Sequence, residues 1–356
     1  MAKIDRNNNF DLIRLIAALQ VVFFHSYEHL KINNIFVSFL SHHFLEFFPG
    51  VPIFFFISGF LIYASFERNR SNVKKYLVNR FLRIFPGLWV SVIISIIMIS
   101  IDYNGESVFN FLISKDAVLW GLGQISFFQF YTPDSFRFWG VGTPNGSLWT
   151  VTVELQFYLV LPLIFLLIHR IRKLNLILVL LSILFVLFNL LVAFNNREEM
   201  LVKLFGVTVF PYLYYFFIGI VTYIHWDKLK KYFEGNFLKI FILYLLFMIF
   251  TRSFLQIDTA SYWITNFLNV IADLLLAAVI FSAAFSYNNA SRFLLRGNDI
   301  SYGLYIYHML IVNYFVHNGY ISSVTSMFLV FFIVTIFALI SWNFIEKPVL
   351  LFKKYL

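Results

Sequence analysis

Ten apolar segments, each close to the length needed to cross a lipid bilayer, follow one another along this chain. The hydrocarbon core is about 30 Å thick, so a spanning helix needs about 20 mostly apolar residues. The chain of 356 residues is 60% hydrophobic and 13% charged, which excludes a soluble globular domain. The predicted fold class is an all-α, polytopic transmembrane helical bundle. It forms a single integral-membrane domain over 1–356, with spans at about 10–27, 48–66, 84–101, 149–168, 174–194, 205–225, 237–251, 264–286, 300–317 and 322–343.

The basic residues predict the direction of these spans, because cytoplasmic segments of membrane proteins carry an excess of Lys and Arg. With both termini cytoplasmic, 20 of the 27 Lys and Arg residues fall in cytoplasmic segments, six fall outside and Arg14 lies within the membrane. Orientation therefore explains the net charge of +9, and no nucleic-acid partner is expected. A semi-apolar segment at 117–131 is predicted to be re-entrant or interfacial. An eleventh span there is the alternative, but it would spoil the charge asymmetry.

Several kinds of site are excluded or disfavoured by the sequence. The chain has no cysteine, so it has no disulfide, thiolate nucleophile or Cys-based metal site. The first apolar segment contains Asp11 and Arg14 and is not followed by a small-residue cleavage site, so no cleavable signal peptide is expected. His25 and His29 have the spacing of a metal-binding pair on a helix, but no third ligand is evident and no metal is expected.

The first apolar segment, FDLIRLIAALQVVFFHSYEH, carries a polar stripe. His25 follows Arg14 by eleven positions, a rotation of about 1100° that lies within about 20° of three full turns. The two side chains therefore share one helix face, about 16 Å apart along the axis. Asp11 lies one turn before Arg14 on the same face. Charged residues are costly inside a membrane, so this face is predicted to line a polar cavity.

Span direction places His25 and a carboxylate at similar depth. The first span runs outward, so His25 is near its outer end. The fourth span runs inward from GSLWTVTVELQFY, and Glu154 lies about 1.5 turns below the outer surface. A carboxylate that orients an imidazole is a standard general-base arrangement, and the imidazole titrates closest to neutral pH. The alternative is that the two are separate, hydrogen-bonded packing residues.

Two other groups of residues are candidates for a functional site. Arg80 and Arg83, in NRFLRIFPG, are i, i+3 neighbours at the cytoplasmic start of the third span and together suit a phosphate group. Their alternative role is ordinary positive-inside anchoring. His308, in SYGLYIYHM, lies mid-membrane and is either functional or a hydrogen-bonded core residue.

Several segments resemble the membrane-bound acyltransferase-3 family, which O-acylates cell-surface polysaccharides and related acceptors. The matching segments are FDLIRLIAALQVVFFH, PGVPIFFFISGFLI, NRFLRIFPGLWV, GSLWTVTVELQFYLVLP, ISYGLYIYH and NFIEKP. They extend from the first span to the tenth. The spacing of Arg14 and His25, together with the SLW…E..FY segment, is specific to this resemblance.

The resemblance implies roles for individual residues. It implies that His25 is the catalytic base, Arg14 its essential charged partner and Glu154 an active-site acid. It also implies that Arg80 and Arg83 contact acyl-CoA. The commonly shared positions with supporting or substrate-binding roles are Asp11, Ser147, Trp149, Tyr158, Ser301, Tyr302 and His308. Some relatives carry a fused extracytoplasmic hydrolase-like domain. The form without it is expected here, acting alone or passing its acyl group to a separate extracytoplasmic acyltransferase.

The expected reaction path joins these residues across a bacterial cytoplasmic membrane. Acyl-CoA, most simply acetyl-CoA, is the donor substrate and no cofactor is bound permanently. Its phosphates lie by Arg80 and Arg83, and its pantetheine arm passes Arg14 toward His25. The acceptor is a sugar hydroxyl, free or lipid-linked, that arrives from outside. Direct transfer and an acyl-His25 intermediate both remain open. The competing hypothesis is a solute transporter, although the sequence shows no two-half repeat.

Overall fold

The computed structural model describes residues 8–68, 72–103, 107–170, 174–193, 200–259, 265–287 and 289–352. Within these ranges the chain is helical and contains no β-strand. The α-helices are α1 (Phe10–His29), α2 (Ile35–His43), α3 (Gly50–Arg68), α4 (Val73–Ile101), α5 (Val108–Ile113), α6 (Lys115–Gln124), α7 (Trp149–Arg170), α8 (Leu174–Ala193), α9 (Met200–Gly206), α10 (Leu213–Ile224), α11 (Trp226–Phe233), α12 (Phe237–Ile249), α13 (Phe267–Ser286), α14 (Ala290–Leu295), α15 (Ser301–His317), α16 (Val324–Ser341) and α17 (Lys347–Phe352). Short π-helical segments follow α12 and α16, at Phe250–Phe254 and Trp342–Glu346.

Each predicted span overlaps a helix of the described residues, the one at 205–225 being interrupted between Gly206 and Phe210, and the multi-pass, all-α membrane fold is confirmed. Seven helical stretches among the described residues are long and apolar enough to cross a membrane. An eighth is added if α9 and Phe210–Ile224, bent by 54°, form one span. The helix at 300–317 has 17 residues, about 26 Å, which is at the short end of the spanning range. The count of ten and the side of the termini remain predictions, and 1–7 and 353–356 lie outside the described residues.

The segment at 117–131 does not form a spanning helix. It begins inside α6, which has ten residues, about 15 Å or half the thickness of the hydrocarbon core. Ser114 caps α6 by accepting a hydrogen bond from the backbone N–H of Ala117 at 3.2 Å, and turns follow Gln124. Whether this segment is re-entrant or interfacial remains a prediction.

The chain contacts define two compact units, of which the first comprises Met1–Ala17, Glu46–Tyr76 and Gln156–Asn298. Its closest helix packing joins α3 to α10. A Cβ atom on Gly59 would overlap the backbone of Phe216, and one on Gly219 would overlap the backbone of Phe56. Only glycine permits this approach. Because lipid is as apolar as the helices, their association in the membrane depends on close van der Waals contact of this kind. Deeper in this unit, Tyr214 donates a hydrogen bond to the buried carboxylate of Asp273.

The second unit comprises Ala18–Leu45, Leu77–Leu155 and Asp299–Leu356. Its central element is α15, which packs against α16 where a Cβ on Gly303 would lie 2.8 Å from the Cα of Ala338. The side chains of His308 and Asn313 on α15 are completely buried. Buried polar groups of this kind need hydrogen-bond partners, and those partners build the candidate site. The prediction of a single domain over 1–356 remains a prediction.

Candidate active site

Helix α1 carries the predicted polar stripe. It runs without interruption from Phe10 to His29, so the spacing that places Arg14 and His25 on one face is realised. Buried Asn9 holds the start of the helix: its side chain donates to the carbonyl oxygens of Ala283 and Tyr287, at 3.2 and 2.7 Å. One turn into the helix, the Arg14 guanidinium lies 3.6 Å from the Asp11 carboxylate.

That ion pair confirms that Asp11 and Arg14 are neighbours on α1. The Arg14 side chain is 20% exposed, whereas that of Asp11 is 56% exposed. Because the carboxylate is largely accessible, the pair itself adds little stability. Its consequence is instead to orient the guanidinium along the helix toward its N-terminal end.

The imidazole of His25 meets the imidazole of His308. Nδ1 of His25 lies 2.8 Å from Nε2 of His308, within hydrogen-bond distance. The two rings are tilted by only 6°, and their centroids are 5.1 Å apart. With nitrogen atoms so close and centroids so distant, the rings meet edge to edge in one plane rather than face to face. His25 is half-buried, and the His308 side chain is completely buried.

A second contact fixes the far side of His308. Its Nδ1 donates a hydrogen bond to the backbone carbonyl oxygen of Tyr305, one turn earlier on α15, at 2.6 Å. On the other side of the pair, the ring of His29 stacks near His25 with centroids 5.6 Å apart. Among the described residues no group of three or more His, Cys, Asp or Glu side chains is arranged to hold a metal ion.

Helix α15 also holds the segment that leads into α7. Tyr305 Oη donates to the backbone carbonyl oxygen of Ser147 at 3.2 Å and lies 2.6 Å from the Thr150 hydroxyl. Asn145 donates to the carbonyl oxygen of Ile306 at 2.8 Å. The Ser147 hydroxyl donates to the side-chain oxygen of Asn145 at 3.1 Å. The predicted site residue Ser147 is thus a buried part of this connection.

The loop before that segment is clasped by Asn313. Its side-chain oxygen accepts from the backbone N–H of Val141 at 2.7 Å, and its amide donates to the carbonyl oxygens of Thr143 and Pro144 at 2.9 and 3.0 Å. Gly140 adopts φ +61°, and a Cβ there would overlap the Asn313 side chain. One buried amide therefore satisfies three backbone groups of the loop.

Glu154 lies in the second turn of α7 and is half-buried, and Trp149 begins that helix. The predicted contact between Glu154 and His25 is not among the hydrogen bonds that the described residues show for His25, whose Nδ1 is occupied by His308. The role of Glu154 remains a prediction. Tyr158, further along α7, is buried, and its backbone carbonyl accepts a hydrogen bond from Tyr76 at 3.3 Å.

Arg83 lies in an ion-pair cluster. Its Nη2 donates to the Asp299 carboxylate at 2.5 Å, and its Nη1 lies 3.8 Å from a carboxylate oxygen of Glu346. Asp299 also accepts from the Ser301 hydroxyl at 2.5 Å, and Glu346 accepts from the Ser341 hydroxyl at 2.9 Å. The guanidinium therefore joins α4 to the start of α15 and to the π-helical segment after α16.

Arg80 is half-buried and lies one turn before Arg83 on α4. Tyr302, near the start of α15, donates to the carbonyl oxygen of Ile84 on α4 at 2.9 Å. That contact again joins α15 to α4. Binding of acyl-CoA by the two arginines remains a prediction, but the structure shows that Arg83 already has acidic partners.

The sequence analysis did not single out Asp299, Glu346, Tyr305 or Asn313. Three of them lie in or beside segments that carried the resemblance: Asp299 directly precedes ISYGLYIYH, Tyr305 lies within it, and Glu346 is the acid of NFIEKP. An acidic residue just before a helix is a recognisable signal, because it suits the helix N-terminus. Nothing local marks Asn313 as a clasp for a loop 170 residues earlier.

The fold and site define a multi-pass helical membrane protein with paired imidazoles beside a polar helix face. Residues 7–344 match the family model Acyl_transf_3, described as an acyltransferase domain. The chain therefore belongs to the acyltransferase-3 family, and it is a membrane-bound acyltransferase. The expectation drawn from the sequence segments is confirmed at this level.

Two characterised relatives are similar to the chain. Nodulation protein 10 of Rhizobium leguminosarum bv. viciae is 31% identical over 355 residues, which cover 96% of this chain and 92% of that protein. Peptidoglycan O-acetyltransferase OatA of Listeria monocytogenes serovar 1/2a is 31% identical over 122 residues, which cover 32% of this chain and 19% of that protein. No solved structure matches the chain.

Proposed function

We propose that this acyltransferase moves an acyl group, most simply acetyl, from acyl-CoA to a hydroxyl of a cell-surface or lipid-linked sugar. In this proposal His25 is the general base. The observation that carries it is the half-buried imidazole on the polar face of α1, held through Nδ1 by His308. A ring held at one nitrogen presents the other in a defined direction, as a general base requires.

The chemical step balances without a cofactor. His25 takes the proton of the acceptor hydroxyl, the hydroxyl oxygen bonds to the acyl carbon, and the thioester carbon–sulfur bond breaks. The departing CoA thiolate then takes the proton held by His25. The products are the sugar ester and free CoA thiol. In a related route a ring nitrogen of His25 bonds to the acyl carbon as the thioester carbon–sulfur bond breaks and the CoA thiolate departs. The sugar hydroxyl then bonds to the acyl carbon as the bond to His25 breaks, and the hydroxyl proton passes to the thiolate.

Similarity supports the choice of reaction. OatA is named as an O-acetyltransferase of peptidoglycan, and a sugar hydroxyl is the acceptor class proposed here. The donor is proposed to approach from the cytoplasm near Arg80 and Arg83, with membrane lipid around the bundle. The proposed location is a bacterial cytoplasmic membrane. A separate extracytoplasmic acyltransferase is a partner in the variant of the proposal in which the acyl group is passed on.

The test is release of CoA thiol. Purified protein in detergent is given acetyl-CoA with and without a panel of sugar acceptors, and free thiol is followed together with mass increase of the sugar. Sugar-dependent release is expected. A solute transporter would bind or move its substrate without cleaving the thioester, so binding with no thiol release under every acceptor would contradict the proposal.

His25→Ala tests the base in the same assay. Loss of a general base typically costs about 10²–10⁴-fold, so activity is expected to fall by at least about 100-fold. His43→Ala is the matched control, because His43 is an exposed histidine on α2 and is expected to leave the rate unchanged. More than about a tenth of the activity remaining in His25→Ala would contradict the role of His25.

A further inference from the structure

His308 has one ring nitrogen whose protonation is determined by its partner. Nδ1 lies 2.6 Å from the carbonyl oxygen of Tyr305. A carbonyl oxygen only accepts hydrogen bonds, so Nδ1 of His308 must carry a proton and donate it. This contact lies within one turn of α15, and it therefore does not depend on how other helices are placed.

The other nitrogen of His308 must then be an acceptor. The side chain is completely buried, and the partners that the described residues give its ring nitrogens are the backbone carbonyl oxygens of Tyr305 and Leu304 and the imidazole of His25. None of them carries a negative charge. A buried cation without a counter-charge is very costly, so the resting ring is neutral and its Nε2 has a lone pair but no proton.

The protonation of His25 follows from that of its neighbour. Because Nε2 of His308 accepts, Nδ1 of His25 must be the donor across the 2.8 Å contact. A neutral imidazole has a single N–H. Nε2 of His25 is therefore the unprotonated nitrogen, which is the form a base needs to take a proton.

The geometry points to His308 as a positioning residue that holds His25 in the tautomer whose free nitrogen, Nε2, accepts the hydroxyl proton. This inference rests on the acyl transfer proposed above. It assigns to a neutral imidazole, anchored on a helix carbonyl, the part that a carboxylate has in the Ser-His-Asp arrangement. When His25 becomes an imidazolium, its Nδ1 proton still binds Nε2 of His308, which stabilises the charge.

The first test reads the tautomer directly. Full-length protein labelled with ¹⁵N-histidine is studied by NMR in detergent without substrates, and the His25 signals are assigned by their loss in His25→Ala. The expected result is a protonated Nδ1 and an unprotonated Nε2 at His25. A proton on Nε2 of resting His25 would overturn the proposal, whatever the protein acylates.

Two substitutions at His308 then separate positioning from packing. In His308→Gln the amide can donate to the Tyr305 carbonyl while its oxygen accepts from His25, so the tautomer and most of the turnover are expected to persist. In His308→Leu the acceptor is lost. We expect the Nδ1–H tautomer of His25 to decline and kcat to fall by at least about tenfold, with donor and acceptor KM within about twofold.

Control variants and a stability measurement complete the test. His317→Gln and His317→Leu make the same changes at the other end of α15 and are expected to preserve kcat. Thermal unfolding identifies a variant that fails to fold, in which case the wild-type tautomer decides the question. An unchanged His25 tautomer in folded His308→Leu, or equal loss of kcat in the Gln and Leu variants, would overturn the proposal. Failure of the proposed function is seen separately, as wild-type protein that releases no CoA thiol.

Discussion

Arg83 and Asp299 form a 2.5 Å ion pair that ties α4 to the start of α15. The same guanidinium faces Glu346, whose side chain is 2% exposed. Two carboxylates thus face the same guanidinium in a largely buried setting. Arg83 therefore has a structural part in the fold whether or not it also contacts the donor.

Removing this cation is expected to destabilise the protein. Arg83→Ala removes the guanidinium that Glu346 and Asp299 share, and breaking a buried pair costs about 3 kcal/mol. Thermal unfolding in detergent should show a clear drop in Tm. The matched control is Arg137→Ala, because Arg137 and Asp134 are 57% and 97% exposed in their 2.9 Å pair and such pairs add little. Equal Tm values for the two variants would contradict the structural role of Arg83.

Arg80 offers a cleaner test of donor binding. If it grips a phosphate of acyl-CoA, Arg80→Ala should raise the KM for acetyl-CoA several-fold, with a smaller change in acceptor KM. Arg80→Lys should restore binding only in part, because an ammonium is a point charge and lacks the guanidinium fork. Lys75→Ala removes an exposed positive charge from the same helix and should leave both KM values unchanged. An unaltered donor KM in Arg80→Ala would contradict phosphate binding and leave Arg80 with ordinary positive-inside anchoring.

The three hydrogen bonds from the Asn313 side chain to the loop at 141–144 predict that stability and activity depend on this amide. Asn313→Leu is expected to lower both Tm and kcat, since it leaves three backbone groups of the loop at 141–144 without their partner, and each buried unpaired group costs about 1–3 kcal/mol.

Asn313→Asp refines this prediction. The aspartate keeps the acceptor for Val141 but turns a carboxylate toward the carbonyl oxygens of Thr143 and Pro144, so it should be at least as damaging as Leu. Asn318→Asp is the control, because Asn318 lies just past the end of α15 and donates to the carbonyl oxygen of Tyr314 in an exposed setting. Wild-type stability in both Asn313 variants would show that the loop does not need the clasp.

The predicted direction of the spans implies that the two substrates enter from opposite sides. Arg80 and Arg83 are expected at the cytoplasmic end of α4, and His25 near the outer end of α1. In sealed vesicles of known orientation, acyl-CoA should support transfer only from the cytoplasmic face, and the sugar only from the other. If both substrates work from the cytoplasmic face alone, the assigned depth of His25 is wrong and the acceptor is a cytoplasmic molecule or an inner-leaflet, lipid-linked sugar.

The sequence by itself determined where the helices lie along the chain and which residues share one face of a helix. Apolar length alone indicated a multi-pass helical bundle, because a backbone in lipid must satisfy its own hydrogen bonds and does so most simply as a helix. The shared face of Arg14 and His25 followed from the helical repeat, which is a local property. The segments from FDLIRLIAALQVVFFH to NFIEKP were enough to indicate the family, because they preserve residue types and spacing that can be read in one dimension.

Only the tertiary structure decided which residues from different helices meet. His25 and His308 are separated by 283 positions, and Arg83 and Asp299 by 216. Predicted depth pairs His25 with Glu154, whereas the structure brings His308 to Nδ1 of His25. Depth fixes one coordinate along the membrane normal, but helices at the same depth can be neighbours or lie far apart. Their arrangement in the membrane plane depends on packing such as the approach of Gly59 to Gly219 and on buried hydrogen bonds from α15, and these are properties of the assembled bundle.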